Sequence, residues 1–541
     1  MWYRVRAIKK NSLGQITARG SWSPAILYDF DAFVTADGIG VRRKDSTGDF
    51  LKLNGINLGN YFSWEPWMLF GLNHPFVEDD VYPDDWTIRQ QLRQRQDINE
   101  SGLEKIVQAY QSSYITEADL DNLMRLGINL IRIPLYVEEI RPIDDFGNWK
   151  TSDFDFSAID RIVRLSGDRG MYVILDLHGA PGCQSDKDAT GRVDFNKLFH
   201  PDPAKDIFRD RSVELWRALA EHYKTNTTIM GYDLLNEPYG VLTAGYYNST
   251  AEAYQALWSL YDRMYEAIRS TPANGGAGDS NHLIIMESVP SEREWDTLPN
   301  PVVDFGWTNI MYQFHYYGFN FDNSGEISGT KTYDEHIEYL NDKIANSKQA
   351  LYDVPVLIGE CNGFDDARVW DLLIDTFNDQ GWAWCVWSYK NHNSNEWGLY
   401  VHADYDEDVP DPANDSLDDL IRKMSKYLTY PYHKPNNTLL NIIKTKTLLP
   451  GFIYDLQVVE AKRKVKLNWS LPDSAAAIKR YIIHYGTVES GSFAYTKTVR
   501  KTRATIRGLI NGTAYQFKVE AVSKNGSGPT SNIVIATPHK I

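Results

Sequence analysis

Eight short, almost continuously apolar runs, each followed by a helical pattern, constrain this chain more than any other feature. They are LKLNGINL (51–58), INLIRIPL (128–135), MYVILDL (171–177), IMGYDLL (229–235), HLIIMES (282–288), NIMYQFH (309–315), VPVLIG (354–359) and WAWCVWS (382–388). Strands apolar on both faces belong to parallel sheets covered by helices, because a sheet with one wet face alternates polar and apolar residues. The stretches ITEADLDNLMRLG, SAIDRIVRLSGDRG, RSVELWRALAEHY and AYQALWSLYDRMYEAIRS carry the helical period. In the first, Thr116 and Asp119 make a shortened capping box, and Gly127 supplies a left-handed stop. Eight such units predict an α/β fold, a (β/α)8 TIM barrel over residues 26–440. A doubly wound open sheet is the alternative, with no GxGxxG or phosphate loop to support it. The segment GIGVRRKDSTGDFLKL (38–53) reads as a hairpin that leads into the first strand and plugs the barrel floor.

After about residue 440 the helical period vanishes. LQVVEAKRKVKLNWSL, RYIIHYG, TRATIRGL and AYQFKVEAVSKNG read as alternating strands between turns, a small all-β sandwich over residues 448–538, with PNNTLLN (435–441) as the connection. This part resembles a fibronectin type III module: Trp469 falls on the second strand, Tyr481 opens the third, and Leu509 to Tyr515 fits a tyrosine corner. The N-terminal YRVRAIKKN (3–11) echoes FKVEAVSKN (517–525). Residues 1–25 therefore read either as the remnant of a second such module, in a chain cut from a longer multidomain parent, or as a hairpin that merely resembles one.

Composition excludes several functions. Acidic residues number 72 against 56 basic ones in 541 residues, and no basic stripe stands out, so a nucleic-acid partner is not expected. No apolar run approaches the roughly 18 residues of a membrane span, and MWYRVRAIKK lacks the apolar core of a signal peptide. The three cysteines are too scattered for a disulfide framework or a zinc site, and Cys361 and Cys385 read as core fillers. Aromatic residues make up 13%, many of them at strand ends and in loops, as in SWEPW, FHYYGF, WAWCVW and NEWGLY; flat rings with polar edges suit the C–H faces of sugars.

In a (β/α)8 enzyme the reacting groups sit at the C-terminal ends of the strands. The fourth run ends in Asn236-Glu237-Pro238 and the seventh in Gly359-Glu360. Two carboxyl groups facing each other across one barrel mouth are what a glycosidic bond needs: one protonates the leaving oxygen while the other meets the oxocarbenium-like carbon. Such chemistry needs no metal or cofactor.

The ordered set RIP, DLHG, LLNEP, HYY, IGE and VWS, at successive strand ends from residue 50 to 430, resembles glycoside hydrolase family 5. The resemblance implies Glu237 as acid/base and Glu360 as nucleophile. It implies Asn236 on the sugar 2-hydroxyl, Arg132 holding Glu360, His178, His315 and Tyr317 lining the reacting subsite, and Trp387 as its stacking floor. Two further runs, LNGINLGNYFSWEPWM and DLHGAPGCQSDKDATG, are similar to those of the exo-β-1,3-glucanases of that family, which puts Glu65 and Asp188 on hydroxyls of a terminal glucose. Ala189 stands where that group carries an amide, and the stretch Asn73–Asn99 has no counterpart in the motifs. The resemblance thus implies a retaining exo-β-1,3-glucanase acting on β-glucan, with an endo-β-1,4-glucanase or a β-glucosidase as the alternative. A noncatalytic carbohydrate-binding scaffold is the reading from a different class. Fibronectin type III modules beside hydrolases imply, by analogy, an extracellular or cell-surface bacterial enzyme.

Overall fold

The computed structural model describes residues 6–10, 16–22, 32–44, 50–71, 74–202, 205–291, 294–321, 327–347, 352–391, 397–402, 409–427, 432–447, 449–472, 477–523 and 526–539. Eight parallel strands close into a barrel: β1 (Asn54–Asn57), β2 (Leu130–Tyr136), β3 (Tyr172–Gly179), β4 (Ile229–Asp233), β5 (Leu283–Glu287), β6 (Ile310–Tyr316), β7 (Val356–Cys361) and β8 (Ala383–Val386). Each strand pairs with its neighbour in sequence, and β8 closes on β1 through Trp384↔Asn54 and Val386↔Ile56. Closure rules out the open doubly wound sheet. All eight predicted strands are present.

The outer layer consists of α1 (Asp85–Gln94), α2 (Glu100–Tyr114), α3 (Glu117–Arg125), α4 (Ser157–Gly167), α5 (Asp206–Tyr223), α6 (Thr250–Arg269), α7 (Tyr333–Asn346), α8 (Ala367–Gln380) and α9 (Asn437–Lys446), with a shorter helix at Leu417–Met424. The capping box at Thr116 and Asp119 forms, and Gly127 follows with φ +82°. Two expectations need correction. Between β5 and β6 the cover is a 3-10 turn (Glu294–Thr297) and a π turn (Pro301–Phe305), not a regular α-helix. PNNTLLN is not a connection: Asn436 caps α9, accepting from the Leu439 N–H at 3.2 Å, and Leu439, Ile442 and Ile443 are buried. An Asn pair read as a turn is also a helix start, since asparagine satisfies an otherwise orphaned first-turn donor.

The floor hairpin exists but begins earlier than expected, with strands Val34–Asp37 and Gly40–Arg43 turning at Gly38 (φ +60°). Its Val34 and Val41 join Leu130, Ile174, Met230, Ile285, Met311 and Leu357 in one apolar cluster inside the barrel. Arg6–Lys10 and Ile16–Trp22 pair antiparallel; the remainder of residues 1–25 lies outside the described residues.

The C-terminal sandwich has one sheet of β9 (Gln457–Ala461), β10 (Lys464–Asn468) and β13 (Arg503–Arg507). The other contains β11 (Arg480–Thr487), β12 (Tyr495–Val499), β14 (Tyr515–Val522), β15 (Ser527–Thr530) and β16 (Val534–Ala536). The tyrosine corner is present, the Tyr515 hydroxyl accepting from the Ile510 N–H at 3.2 Å. Trp469 lies one residue beyond β10 rather than on it, and packs edge-on against Tyr481 with ring centroids 5.3 Å apart. The sandwich meets the barrel beside the chain entering β2 and β3. The Arg125 guanidinium covers the Tyr454 ring at 4.6 Å, and a side chain at Gly170 would meet Pro529. Those loops lead into the strands, so the sandwich adjoins the floor end of the barrel.

Candidate active site

Strand periodicity builds the site. Side chains two residues apart point the same way, so the inward positions that hold Leu130, Ile174, Ile285 and Met311 at the floor hold Arg132, Asp176, Glu287 and Gln313 one step higher. Arg132 is fully buried and is the hub of the mouth. Its Nε donates to Asp233 Oδ2 at 2.9 Å, and its Nη1 donates to Glu360 Oε1 at 2.8 Å and Asn57 Oδ1 at 3.1 Å. Its Nη2 donates to Asn236 Oδ1 at 2.8 Å and lies 3.1 Å from Asp176. The other Glu360 oxygen accepts from the Tyr317 hydroxyl at 2.5 Å. The Glu360 carboxylate is thus held at both oxygens.

Glu237 reaches the same space from the β4 side. It has φ +39°, a conformation that costs an L-residue about 1–2 kcal/mol and that the neighbouring structure must impose. Its own N–H is clamped by Glu287 Oε2 at 2.7 Å, and its carboxylate meets His315 Nδ1 at 2.7 Å. Carboxyl oxygens of Glu237 and Glu360 and a ring nitrogen of His315 all lie within 4.8 Å of one another. Those three are also the one set among the described residues close enough to share a metal ion.

Five carboxyl groups, Asp176, Asp233, Glu237, Glu287 and Glu360, face the single guanidinium of Arg132. They cannot all ionise in so dry a place. Burial pushes Asp176 and Asp233 up to about 7 against the pull of Arg132. Burial also raises Glu237, and raises Glu287 well above the ordinary carboxylate range, with the charge of Glu237 adding to it. Desolvation lowers His178 to about 4 and His315 to about 3, so both imidazoles are neutral. His178 is oriented by Asp176 Oδ2 at 2.8 Å from Nδ1, and its ring stacks on Trp387, 10° from parallel with centroids 5.4 Å apart.

Glu65 and Asp188 form a second acidic pair at the wall. Burial raises Glu65 well above the ordinary range, and the charge of Asp188 raises it further; Asp188 is itself raised by burial. The Trp67 indole donates to Glu65 Oε2 at 2.9 Å. Trp67 in turn packs edge-on against Trp397 at 5.2 Å, and Trp397 meets Tyr317 and Phe364 at 5.5 and 5.1 Å, which rims the mouth with partly exposed rings. The long insertion between β1 and β2 supports this wall. Within it, the Trp86 N–H donates to Gly191 O at 2.9 Å, and Asp84 accepts from the Val193 N–H at 2.8 Å. Arg192 lies between the Trp86 and Phe195 rings at 3.7 and 3.8 Å. The loop that carries Asp188 is therefore held from outside the barrel.

All ten residues singled out in the sequence converge on this mouth. Those it missed are Asp176, Asp233, Glu287, Trp67, Trp397 and Gln184, whose Nε2 ties the third loop to the fourth through His178 O at 2.7 Å and Asn236 O at 2.9 Å. Glu287 had one available signal: it is an acid at the C-terminal end of an otherwise apolar run.

Comparison with known proteins agrees with this geometry. The family model Cellulase (glycosyl hydrolase family 5) matches residues 93–393, and that of the fibronectin type III domain matches residues 450–537. A Beta-xylosidase of Phanerodontia chrysosporium is 26% identical over 381 residues, 65% of this chain and 70% of its own. A Glucan 1,3-beta-glucosidase of Candida oleophila is 24% identical over 436 residues, 71% and 95% of the two chains. A Probable glucan 1,3-beta-glucosidase A of Aspergillus terreus is 27% identical over 399 residues, 66% and 88%. With more than half its length matched by the family model, and with its barrel and paired carboxyl groups in place, the chain belongs to glycosyl hydrolase family 5, a hydrolase of O-glycosyl bonds that carries a fibronectin type III domain.

Proposed function

We propose that this protein is a retaining exo-β-1,3-glucanase that releases glucose from the nonreducing end of β-glucan, with Glu237 as acid/base and Glu360 as nucleophile. The observation that carries the reading is the approach of the two carboxyl groups, with oxygens within 4.8 Å. Retaining enzymes hold their carboxyl groups about 5–5.5 Å apart, whereas inverting ones need about 6.5–9.5 Å to seat a water between. The unlike surroundings of the pair support the division of roles. Glu360, fixed by Arg132 and Tyr317, attacks the anomeric carbon while Glu237, whose carboxyl burial raises in favour of its protonated form, gives its proton to the glycosidic oxygen. The leaving chain departs and a glycosyl ester on Glu360 remains. Glu237, now ionised, takes a proton from water, whose oxygen attacks the same carbon, releasing glucose and free Glu360.

Exo action is supported by the wall. Glu65 and Asp188 offer carboxyl oxygens to the hydroxyls of one terminal sugar, and the insertion that carries Glu65 braces the loop of Asp188. The relatives named as glucan 1,3-beta-glucosidases favour glucose and the β-1,3 linkage. A second reading, a terminal xylose, is favoured by the relative named Beta-xylosidase. A polymeric substrate places the enzyme outside the cell or on its surface; no helix among the described residues is long and apolar enough to cross a membrane.

Product analysis on laminarin, carboxymethyl-cellulose and aryl β-glucoside and β-xyloside, with Glu360→Gln as control, tests this. Glucose alone from laminarin is expected. A ladder of oligosaccharides would overturn exo action, faster xyloside turnover would overturn the sugar, and an active Glu360→Gln protein would overturn the mechanism.

A further inference from the structure

The chain-wide excess of acid hides a basic module. From residue 450 to the end there are fourteen lysines and arginines against five aspartates and glutamates, a formal +9, in a chain whose total is −16. The preceding residues therefore carry −25. The absence of a basic stripe, read from the sequence, is corrected once the strand register is known. On β10, Val465 and Leu467 point into the sandwich core, which turns Lys464, Lys466 and Asn468 outward; on β13, Ile506 points in and Arg503, Thr505 and Arg507 point out. The register pairs Lys464 with Arg507, Lys466 with Thr505 and Asn468 with Arg503. Gln457 and Val459 of β9 complete the face opposite Asn468 and Lys466. Lys497 reaches its edge from β12, its Nζ donating to Thr505 O at 2.8 Å.

None of Lys464, Lys466, Arg503 and Arg507 makes an ion pair with a described residue. Like charges directly opposite on paired strands destabilise a sheet, so the Lys464–Arg507 pair gives the fold nothing in return. Strands lie about 4.8 Å apart and alternate residues about 6.8 Å apart, within the roughly 8 Å screening length of physiological salt, so the charges act together.

We propose that this outer face of the fibronectin type III domain binds an acidic polysaccharide, a linear glycan whose charge is carried by carboxylates or phosphodiesters. The assignment to a glycan rests on the hydrolase reading and on the polar side chains between the cations. Gln457, Asn468 and Thr505 suit hydroxyls. Membrane insertion finds only Val459, and base stacking finds no ring on this face. Because the sandwich adjoins the barrel floor, a charged matrix would be held on the side away from the acidic mouth, which is left open to a neutral glucan.

The test is affinity electrophoresis and co-sedimentation of the full chain against a fourfold variant, Lys464→Gln, Lys466→Gln, Arg503→Gln and Arg507→Gln. The ligands are polygalacturonate, a phosphorylated mannan, neutral dextran, phosphatidylglycerol vesicles and duplex DNA. The expected result is retention by one or both acidic glycans and not by dextran, weakened about tenfold in the variant and by 0.5 M salt, with the preferred glycan naming the charged group. Equal retention of both proteins, no retention, or tighter binding to vesicles or DNA would overturn it. Turnover of a neutral aryl β-glucoside by both proteins is measured alongside. Equal activity is expected, and its absence in both would sink the substrate reading while leaving the binding result intact.

Discussion

The two ends of the barrel are built from the same strands and are chemically opposite. At the floor, Leu130, Ile174, Met230, Ile285, Met311 and Leu357 fill the interior and Val34 and Val41 seal it. One inward step along those strands, the interior holds Arg132, Asp176, Glu287 and Gln313, and Glu360 joins them three residues beyond Leu357. Apolar burial stabilises by about 25 cal/mol per Å², whereas a carboxylate taken out of water costs several kcal/mol unless it is paired or protonated. Of the two ends, the floor is therefore the one that adds stability by apolar burial. The mouth holds ionisable groups at a cost, and the protons and hydrogen bonds it must keep are what make it reactive.

Five changes test this division, from the largest effect to the smallest. Glu360→Gln should lower kcat by about 10⁴-fold or more while the melting temperature stays within about 2 °C, by steady-state kinetics and calorimetry. Arg132→Met should abolish activity and also lower unfolding free energy by about 3–5 kcal/mol, because it strips buried carboxylates of their shared cation; a denaturant titration with no change would remove Arg132 as the hub. Ile285→Ala at the floor should cost about 2–5 kcal/mol in the same titration, yet leave kcat on an aryl glucoside within about twofold. If it damages catalysis as severely as Glu360→Gln, the two ends are not separable.

The fourth concerns pH. Asp176 and Asp233, raised to about 7 in the fold, favour the folded state fully below their unfolded value near 3.9, and that contribution is lost as pH rises through about 7. Neutral His178 and His315, lowered to about 4 and about 3, act oppositely, their contribution being lost as pH falls from about 6.5 through those values. The difference in unfolding free energy between wild type and Asp233→Asn isolates the first: it should shrink between about pH 4 and 7, by up to about 1.4 kcal/mol per unit. A difference independent of pH would mean that Asp233 stays ionised. The smallest effect is expected from Arg192→Ala, which frees the loop of Asp188: KM on laminarin should rise about threefold with kcat nearly constant.

Much of the site was legible in short stretches of sequence. NEP and IGE at strand ends marked Glu237 and Glu360, and Thr116 and Gly127 bounded a helix as caps do. Asp176 and Glu287 lay within recognised strands, but an acid closing an apolar run looks the same whether it meets solvent or a buried guanidinium. The α9 helix was lost to Asn436-Asn437, which serves turn and cap equally well. The basic face escaped because its cations alternate with Val465, Leu467 and Ile506 and are divided between β10 and β13.

The sequence by itself determined the eight strands, most of their helices, the sandwich and the two glutamates, since period, caps and turn residues act over a few positions of chain. Only the tertiary structure decided that Arg132 gathers Glu360 from 228 residues away and Asp233 from 101, that the β1–β2 insertion braces the loop of Asp188, and that four cations share one face. These follow from barrel closure and strand register, which set distances between residues whose separation in sequence carries no trace of them.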